Sequence, residues 1–344
     1  MITNSKTRPQ NWDEFLIENN GTYHQSTSNV SYLEPLGFEP IYITSEVNNE
    51  RSGEMLCFKT TIMHAASLGT PFEKLVGIGK KLAPIIQSMF SPVAKNSTTY
   101  EELVAEFAQM CKKVGAAGYV KPHPNNDSPE VFLKNGFTQS PCATFIVDLS
   151  KSNDELWAQI ESSARRKIKQ TQEAGCLAVI TTADEDVSKY FDTVTENRKR
   201  NGLKPYSKES NWGMWRSFQK SGGQLIAAKK NDEVYGGIMI STFGGFINEW
   251  SPSIAQKAMS EKLYVGDLLH WAVIKWGKEN NCKYYDLTGV AINPKNQKEQ
   301  GIHSFKAKWG GKLVQSNEYY IQGTSAIHQV FRGVKKVKNK IAKR

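Results

Sequence analysis

The order hairpin, helix, strand occurs twice along this 344-residue chain, and that repetition constrains the fold more than any single motif. In the first half, apolar runs at 40–44 and 54–62 predict a strand pair, followed by a helix over 100–114 and strands at 118–121 and 144–149. In the second half, a helix over 154–174 precedes strands at 177–181, 224–229, 234–242 and 245–250, a helix over 259–278 and a strand at 283–287. Asn231-Asp232, between two apolar runs, marks a hairpin turn. The pattern predicts an α/β protein with mixed sheets, built from two copies of one domain rather than a single doubly wound sheet. With no low-complexity linker, the boundary falls at 150–153, giving domains over 1–150 and 151–322 and a C-terminal helix over 323–344.

The helix that opens the second half is specified residue by residue. Ser152 and Glu155 form a capping box, Leu156, Ile160, Ala164 and Ile168 repeat every four positions, and Gly175 stops the helix. Arg165, Arg166 and Lys169 fall off the apolar face, where they meet either solvent or an anionic group.

Five scattered cysteines without metal-ligand spacing point to small core residues in a reducing compartment and exclude a structural zinc site. No run reaches the roughly 18 apolar residues of a membrane span, so the expected location is cytoplasmic. Of the net charge of +10, seven charges come from Arg332, Lys335, Lys336, Lys338, Lys340, Lys343 and Arg344, leaving the remainder near neutral. In that same tail Ile327, Val330, Phe331, Val334, Val337 and Ile341 recur at spacings of three and four. Such a basic amphipathic helix either lies on an anionic membrane surface or packs on the body with its lysines solvated.

Several chemistries are excluded. There is no Gly-x-Ser-x-Gly elbow, and Gly77-Ile78-Gly79-Lys80 lacks the spacing and hydroxyl of a nucleotide-phosphate loop. The six histidines form no i, i+4 pair, so they read as individual polar or structural residues and no metal is expected. The informative stretch is Gly301 to Gly311, in which Phe305-Lys306 precedes Trp309-Gly310-Gly311 and follows Asp286-Leu287-Thr288-Gly289. The diglycine permits a sharp turn or a close approach, Asp286 ends a strand, and Lys306 is either a solvated turn lysine or a compact cation for developing negative charge.

These residues, in order, resemble the Fem-type non-ribosomal peptidyltransferases of the Gcn5-related N-acyltransferase (GNAT) superfamily. The resemblance runs through Leu156-Trp157, Arg165-Arg166-Lys167-Ile168, Thr195-Glu196-Asn197-Arg198, Asp286 to Gly289 and Phe305-Lys306. In the first half it rests on Trp12 to Phe15, His24-Gln25-Ser26, Ser91-Pro92 and Asn135-Gly136-Phe137. It implies two tandem GNAT-like acyltransferase domains, with the last segment returning to the first. It further implies transfer of an amino acid from an aminoacyl-tRNA co-substrate to an amine of a cell-wall or envelope precursor, with no cofactor and no metal, at the cytoplasmic face of the membrane. Lys306 takes the catalytic position; Phe305, Asp286, Arg198, Arg165 and Trp250 are assigned to substrate binding. Two departures matter: the tryptophan and lysine that follow Gln-Ser in the family, the lysine tied to the acceptor's phosphate, stand here as Asn29 and Leu33, and the long coiled-coil arm is missing. Two other readings remain open. An acyl-coenzyme A donor keeps the fold, although no pyrophosphate-binding run precedes the helix at 259–278, and a non-catalytic protein at the membrane surface would leave Asp286 and Lys306 idle.

Overall fold

A computed structural model describes residues 1–61, 76–220 and 222–329. The chain divides into two compact units, the first made of Met1–Pro141 with Ser316–Arg344 and the second of Cys142–Gln315. The strands are β1 (Ile2–Ser5), β2 (Glu39–Val47), β3 (Glu50–Thr61), β4 (Pro84–Met89), β5 (Val93–Ala94), β6 (Ala117–Lys121) and β7 (Thr138–Asp148), followed by β8 (Leu177–Thr181), β9 (Gln224–Lys230), β10 (Glu233–Phe243), β11 (Phe246–Ile254), β12 (Tyr284–Val290) and β13 (Lys312–Ile321). The helices are α1 (Trp12–Glu18), α2 (Thr27–Leu33), α3 (Val76–Leu82), α4 (Ser97–Lys113), α5 (Pro129–Lys134) and α6 (Asn153–Gln159), followed by α7 (Ser162–Glu173), α8 (Asp184–Arg200), α9 (Lys208–Lys220), α10 (Gln256–Ser260), α11 (Val265–Glu279) and α12 (Gln297–Ala307).

Both units carry the same strand pattern. In the first, β1, β2, β3 and β4 pair antiparallel in sequence, β4 pairs parallel with β6, and β6 pairs antiparallel with the end of β13 through Tyr319↔Val120. In the second, β8, β9, β10 and β11 are antiparallel, β11 pairs parallel with β12, and β12 pairs antiparallel with β7 through Tyr285↔Val147. A helix precedes the parallel strand each time, as a parallel connection requires: α4 before β6 and α11 before β12. The duplication predicted from element order is thus a duplication of topology. It has one asymmetry: the last strand of the first unit comes from the end of the chain, and that of the second from residues preceding the unit's own helices.

The first core gathers Ile43, Met55, Ile86, Phe107 and Phe132 around Tyr319, whose ring stacks on Phe132 at 3.8 Å between centroids. Gln25 is fully buried; its side chain accepts from the Leu56 amide at 2.7 Å and donates to the Met89 carbonyl at 2.8 Å, so this member of the His-Gln-Ser motif ties β3 to β4. The second core packs α7 and α11 against the sheet through Ala164, Ile168, Leu268, Ile274, Ile238 and Tyr285. Four of the five cysteines are buried and Cys142 is half-buried.

Two predicted helices are each divided in two. The span expected over 154–174 breaks at Ile160 and Glu161, which are extended, because the Glu161 amide donates to the Lys308 carbonyl at 2.9 Å instead of continuing the helix. Its apolar face is nevertheless as predicted: Leu156, Ile160, Ala164 and Ile168 are each at most 1% exposed, so periodicity alone does not reveal the break. The span expected over 259–278 is interrupted at Lys262, whose φ of 55° ends α10 before α11 begins. Asn231 and Asp232, with φ of 49° and 61°, make the predicted β9–β10 turn. The basic helix expected over 323–344 begins with helical residues 326–329; 330–344, which carry its charge, lie outside the described residues. No helix among the described residues is long and apolar enough to cross a membrane.

Candidate active site

In the second unit β11 and β12 run together only briefly, pairing at Phe246↔Tyr284 and Ile247↔Tyr285. Beyond that point each strand bulges away from a regular ladder. The β10–β11 register shifts between Gly237 and Met239, where Ser251 takes a φ of 48°, and the β12–β7 register shifts between Asp286 and Gly289, where Thr288 takes a φ of 62°. A cavity of about 670 Å³ opens here, lined from β11 by Glu249 to Ile254 except Trp250, from β12 by Thr288, and by residues of α8, α11 and α12. Strand alternation explains the exception. Glu249 and Ser251 point into the cavity, and Trp250 turns to the other face, its ring 6.0 Å from that of Phe218. After the bulge the alternation is lost, so Pro252, Ser253 and Ile254 all reach the cavity.

Lys306 sits in the last turn of α12, on the face that also presents Gln297, Gly301, Ile302 and Phe305 to the cavity. Its ammonium donates to Thr288 Oγ1 at 3.2 Å and to the Gly289 carbonyl at 3.0 Å, which holds it at the β12 bulge. Asp286 shapes that bulge rather than lining the cavity. Its Oδ1 accepts from the Thr288 amide at 2.7 Å and from the Thr144 hydroxyl, so the carboxylate turns back onto its own strand and its neighbour. The diglycine likewise serves packing: a Cβ at Gly310 (φ 74°) would lie 2.6–2.9 Å from Gln159, and one at Gly311 would lie 3.1 Å from the Ile146 backbone.

Two residues that the sequence does not single out, Glu249 and His270, face the same cavity. Glu249 and His270 have side chains 8% exposed, with His270 Nε2 3.6 Å from Glu249 Oε2. His270 Nδ1 lies 2.8 Å from the Gly266 carbonyl, which can only accept, so Nδ1 carries the proton and Nε2 is turned toward the carboxylate. The Tyr285 hydroxyl also donates to Glu249; burial first, and then the Glu249 charge, hold its pKa well above the usual tyrosine range, so it remains a donor. Trp309 stacks on the His270 ring at 5.4 Å and Phe305 meets it edge-on at 4.9 Å. Behind them Lys308 forms a 2.7 Å ion pair with Asp267 and lies 3.9 Å over the Phe305 ring; burial lowers its pKa, against the pull of Asp267.

Of the residues predicted from sequence, the structure brings Lys306 and Phe305 into one cavity and places four elsewhere. Arg198 donates to the Lys204 carbonyl at 2.8 Å and stacks over Tyr206 at 3.8 Å; its helix neighbours Asn197 and Arg200 line the cavity instead. Arg165 belongs to a separate groove on α7. Glu249 and His270 had sequence signals, a lone carboxylate in its strand and a histidine in the apolar run Leu268 to Ile274, but nothing in spacing connects positions 249 and 270. Among the described residues no group of three or more His, Cys, Asp or Glu is arranged to hold a metal ion.

Residues 159–299 match the family model described as an acetyltransferase (GNAT) domain. No curated protein sequence matches the chain. FemX superposes with a TM-score of 0.71 at 13% identity, over 92% of this chain and 96% of its own. L-PGS from Bacillus licheniformis gives 0.56 at 12% identity, over 98% of each chain. A tandem GNAT protein from the clavulanic acid biosynthesis pathway gives 0.54 at 11% identity, over 93% of this chain and 96% of its own. Residues 159–299 of the second unit are thus similar to the acetyltransferase (GNAT) domain family, and with the same topology in the first unit the chain has a tandem GNAT-like fold similar to that of FemX.

Proposed function

We propose that this chain is an aminoacyltransferase that moves an amino acid from an aminoacyl-tRNA ester to a primary amine of a cell-envelope precursor, working at the cytoplasmic face of the membrane. One observation carries this reading: the Lys306 ammonium, held by Thr288 and Gly289, lines the same cavity as the Glu249–His270 pair. Acyl transfer to an amine needs a fixed positive charge for the carbonyl oxygen and an acceptor for the amine's proton. The acceptor enters as an ammonium and gives a proton to the Glu249–His270 pair. Its lone pair then attacks the ester carbonyl, forming the C–N bond and placing negative charge on the carbonyl oxygen beside Lys306. Collapse breaks the ester C–O bond, and the second amine proton, passed through His270, leaves with the ribose hydroxyl.

The start of α11 supports an ester donor over an acyl-coenzyme A. A pyrophosphate at a helix N-terminus needs open amides and no opposing charge. Here the Tyr264 amide donates to Thr171 Oγ1 at 3.0 Å and Asp267 places a carboxylate in the first turn. Seven cations in residues 332–344 suit presentation at an anionic membrane surface.

The test is transfer assayed by mass spectrometry of envelope precursors incubated with aminoacyl-tRNA. Lys306→Met is expected to lower kcat by about 10²-fold or more while KM changes less, as for loss of one oxyanion-stabilising group. Unchanged kcat removes Lys306 from the mechanism. Binding of acetyl-coenzyme A at about micromolar Kd in calorimetry would move the reading to acyl-coenzyme A donors.

A further inference from the structure

The cationic surplus of this molecule is unevenly placed. The second unit holds 25 Lys and Arg against 19 Asp and Glu, whereas the rest of the chain before residue 332 holds 12 against 15. On α7, Ala164, Ile168 and Thr171 are buried, and the opposite face turns Arg165, Arg166 and Lys169 into a groove of about 430 Å³ together with Trp157, Ser162 and Gln170. No carboxylate pairs with any of the three cations among the described residues, although Glu173 also lines the groove. Trp157 rests on Trp271 at 4.8 Å between ring centroids, which fixes its ring at the groove wall.

The groove is also bonded to the transfer cavity. The Glu161 amide donates to the Lys308 carbonyl just after Lys306, Thr171 Oγ1 holds the Tyr264 amide at the start of α11, and the Lys167 ammonium lies 5.2 Å over the Tyr264 ring. An anionic strand on α7 would thus lie on an element fastened near α11 and α12, two of the three helices that line the cavity.

We propose that this groove binds the phosphodiester backbone of a single-stranded RNA end, with Arg165, Arg166 and Lys169 on phosphates and Trp157 against a base. The assignment rests on the aminoacyl-tRNA reading above and names where its donor is held. Arginine forks and a lysine match successive phosphates, and an aromatic wall accepts any base by stacking. A membrane surface fits less well, because the groove is concave and Trp157 is its one apolar side chain.

The experiment is fluorescence anisotropy of the full chain with a labelled single-stranded RNA of about twelve nucleotides ending in CCA, over about 50–200 mM salt. The triple variant Arg165→Gln, Arg166→Gln, Lys169→Gln is expected to bind about tenfold or more weakly and to lower the slope of log affinity against log salt by about 2, the release expected for three phosphate contacts. Lys208→Gln, Arg216→Gln, Lys220→Gln on α9 removes the same charge elsewhere in the unit and is expected to leave both unchanged. The proposal is overturned if the wild type does not bind, if both triples lose affinity equally, or if the α7 triple retains it. Loss of binding to anionic phosphatidylglycerol vesicles by the α7 triple, with RNA binding intact, would assign the groove to a membrane and also overturn it. Lys306→Met separates this inference from the function on which it rests, since RNA binding should survive that change while transfer falls. Selective loss of RNA binding in the α7 triple, in a protein that transfers nothing, would sink the reaction and leave the groove.

Discussion

Glu249 is held by the Tyr285 hydroxyl on one side and His270 on the other, so its charge can be removed with little change of shape. Glu249→Gln keeps an acceptor for Tyr285 and is expected to lower kcat by about 10²-fold, the usual scale for loss of a proton-transfer group, with the melting temperature little changed. Activity equal to wild type would make the pair structural. In the first unit, Glu54 is fully buried beside Arg51, and burial pushes its pKa from 4.5 up to about 8 against the pull of that guanidinium. A folded value above the unfolded one means that the folded state keeps a proton the unfolded state releases. The associated stability is fully present below about pH 4.5 and lost as pH rises through about 8. Melting curves between about pH 5 and 9 should show Glu54→Gln removing part of the alkaline decline; an unaltered pH dependence would mean that Arg51 keeps Glu54 ionised throughout.

At the scale of elements, the connection from α6 to α7 and the end of α12 depend on each other. Gly310 has a φ of 74° and lies against Gln159, so Gly310→Ala adds both backbone strain and a clash and should cost about 2 kcal/mol or more. Gly301, inside α12, has nothing within 4 Å of a built Cβ; Gly301→Ala should stabilise by about 0.5–1 kcal/mol. Chemical denaturation of the two variants measures the contrast, and equal effects would refute the packing account. The helices themselves were legible where signals were local. The Ser152–Glu155 capping box forms, and Gly175 ends α7 at a φ of 80°. Helix α8 also has a readable pattern, with Asp184, Glu185 and Asp186 in its first turn and Arg198, Lys199 and Arg200 in its last, complementing its dipole. Yet only its Thr195–Arg198 motif was singled out, and of that motif Asn197 lines the cavity while Arg198 ties down the following loop.

At the scale of the molecule, the charge divides into a basic second unit, a slightly acidic remainder before residue 332 and a strongly basic end. Deleting 331–344 removes seven cations, and if that segment is the membrane contact, co-sedimentation with anionic vesicles should be lost and the remaining protein should stay folded. Vesicle binding that persists would point to another surface; a lower melting temperature without any vesicle binding would point to a packed helix. What the sequence determined by itself was the repeated order of elements, their apolar faces and the hairpin at Asn231-Asp232, because each depends on residues within a few turns of one another. Only the tertiary structure decided which strand closes each sheet, where the long helices break, and that Glu249, His270 and Lys306 share a cavity from which Trp250, Arg198, Asp286 and Arg165 are absent. The lining that β11 and β12 give the cavity turns on two bulges and a one-residue alternation along β11, where a shift of a single position exchanges one face of a strand for the other.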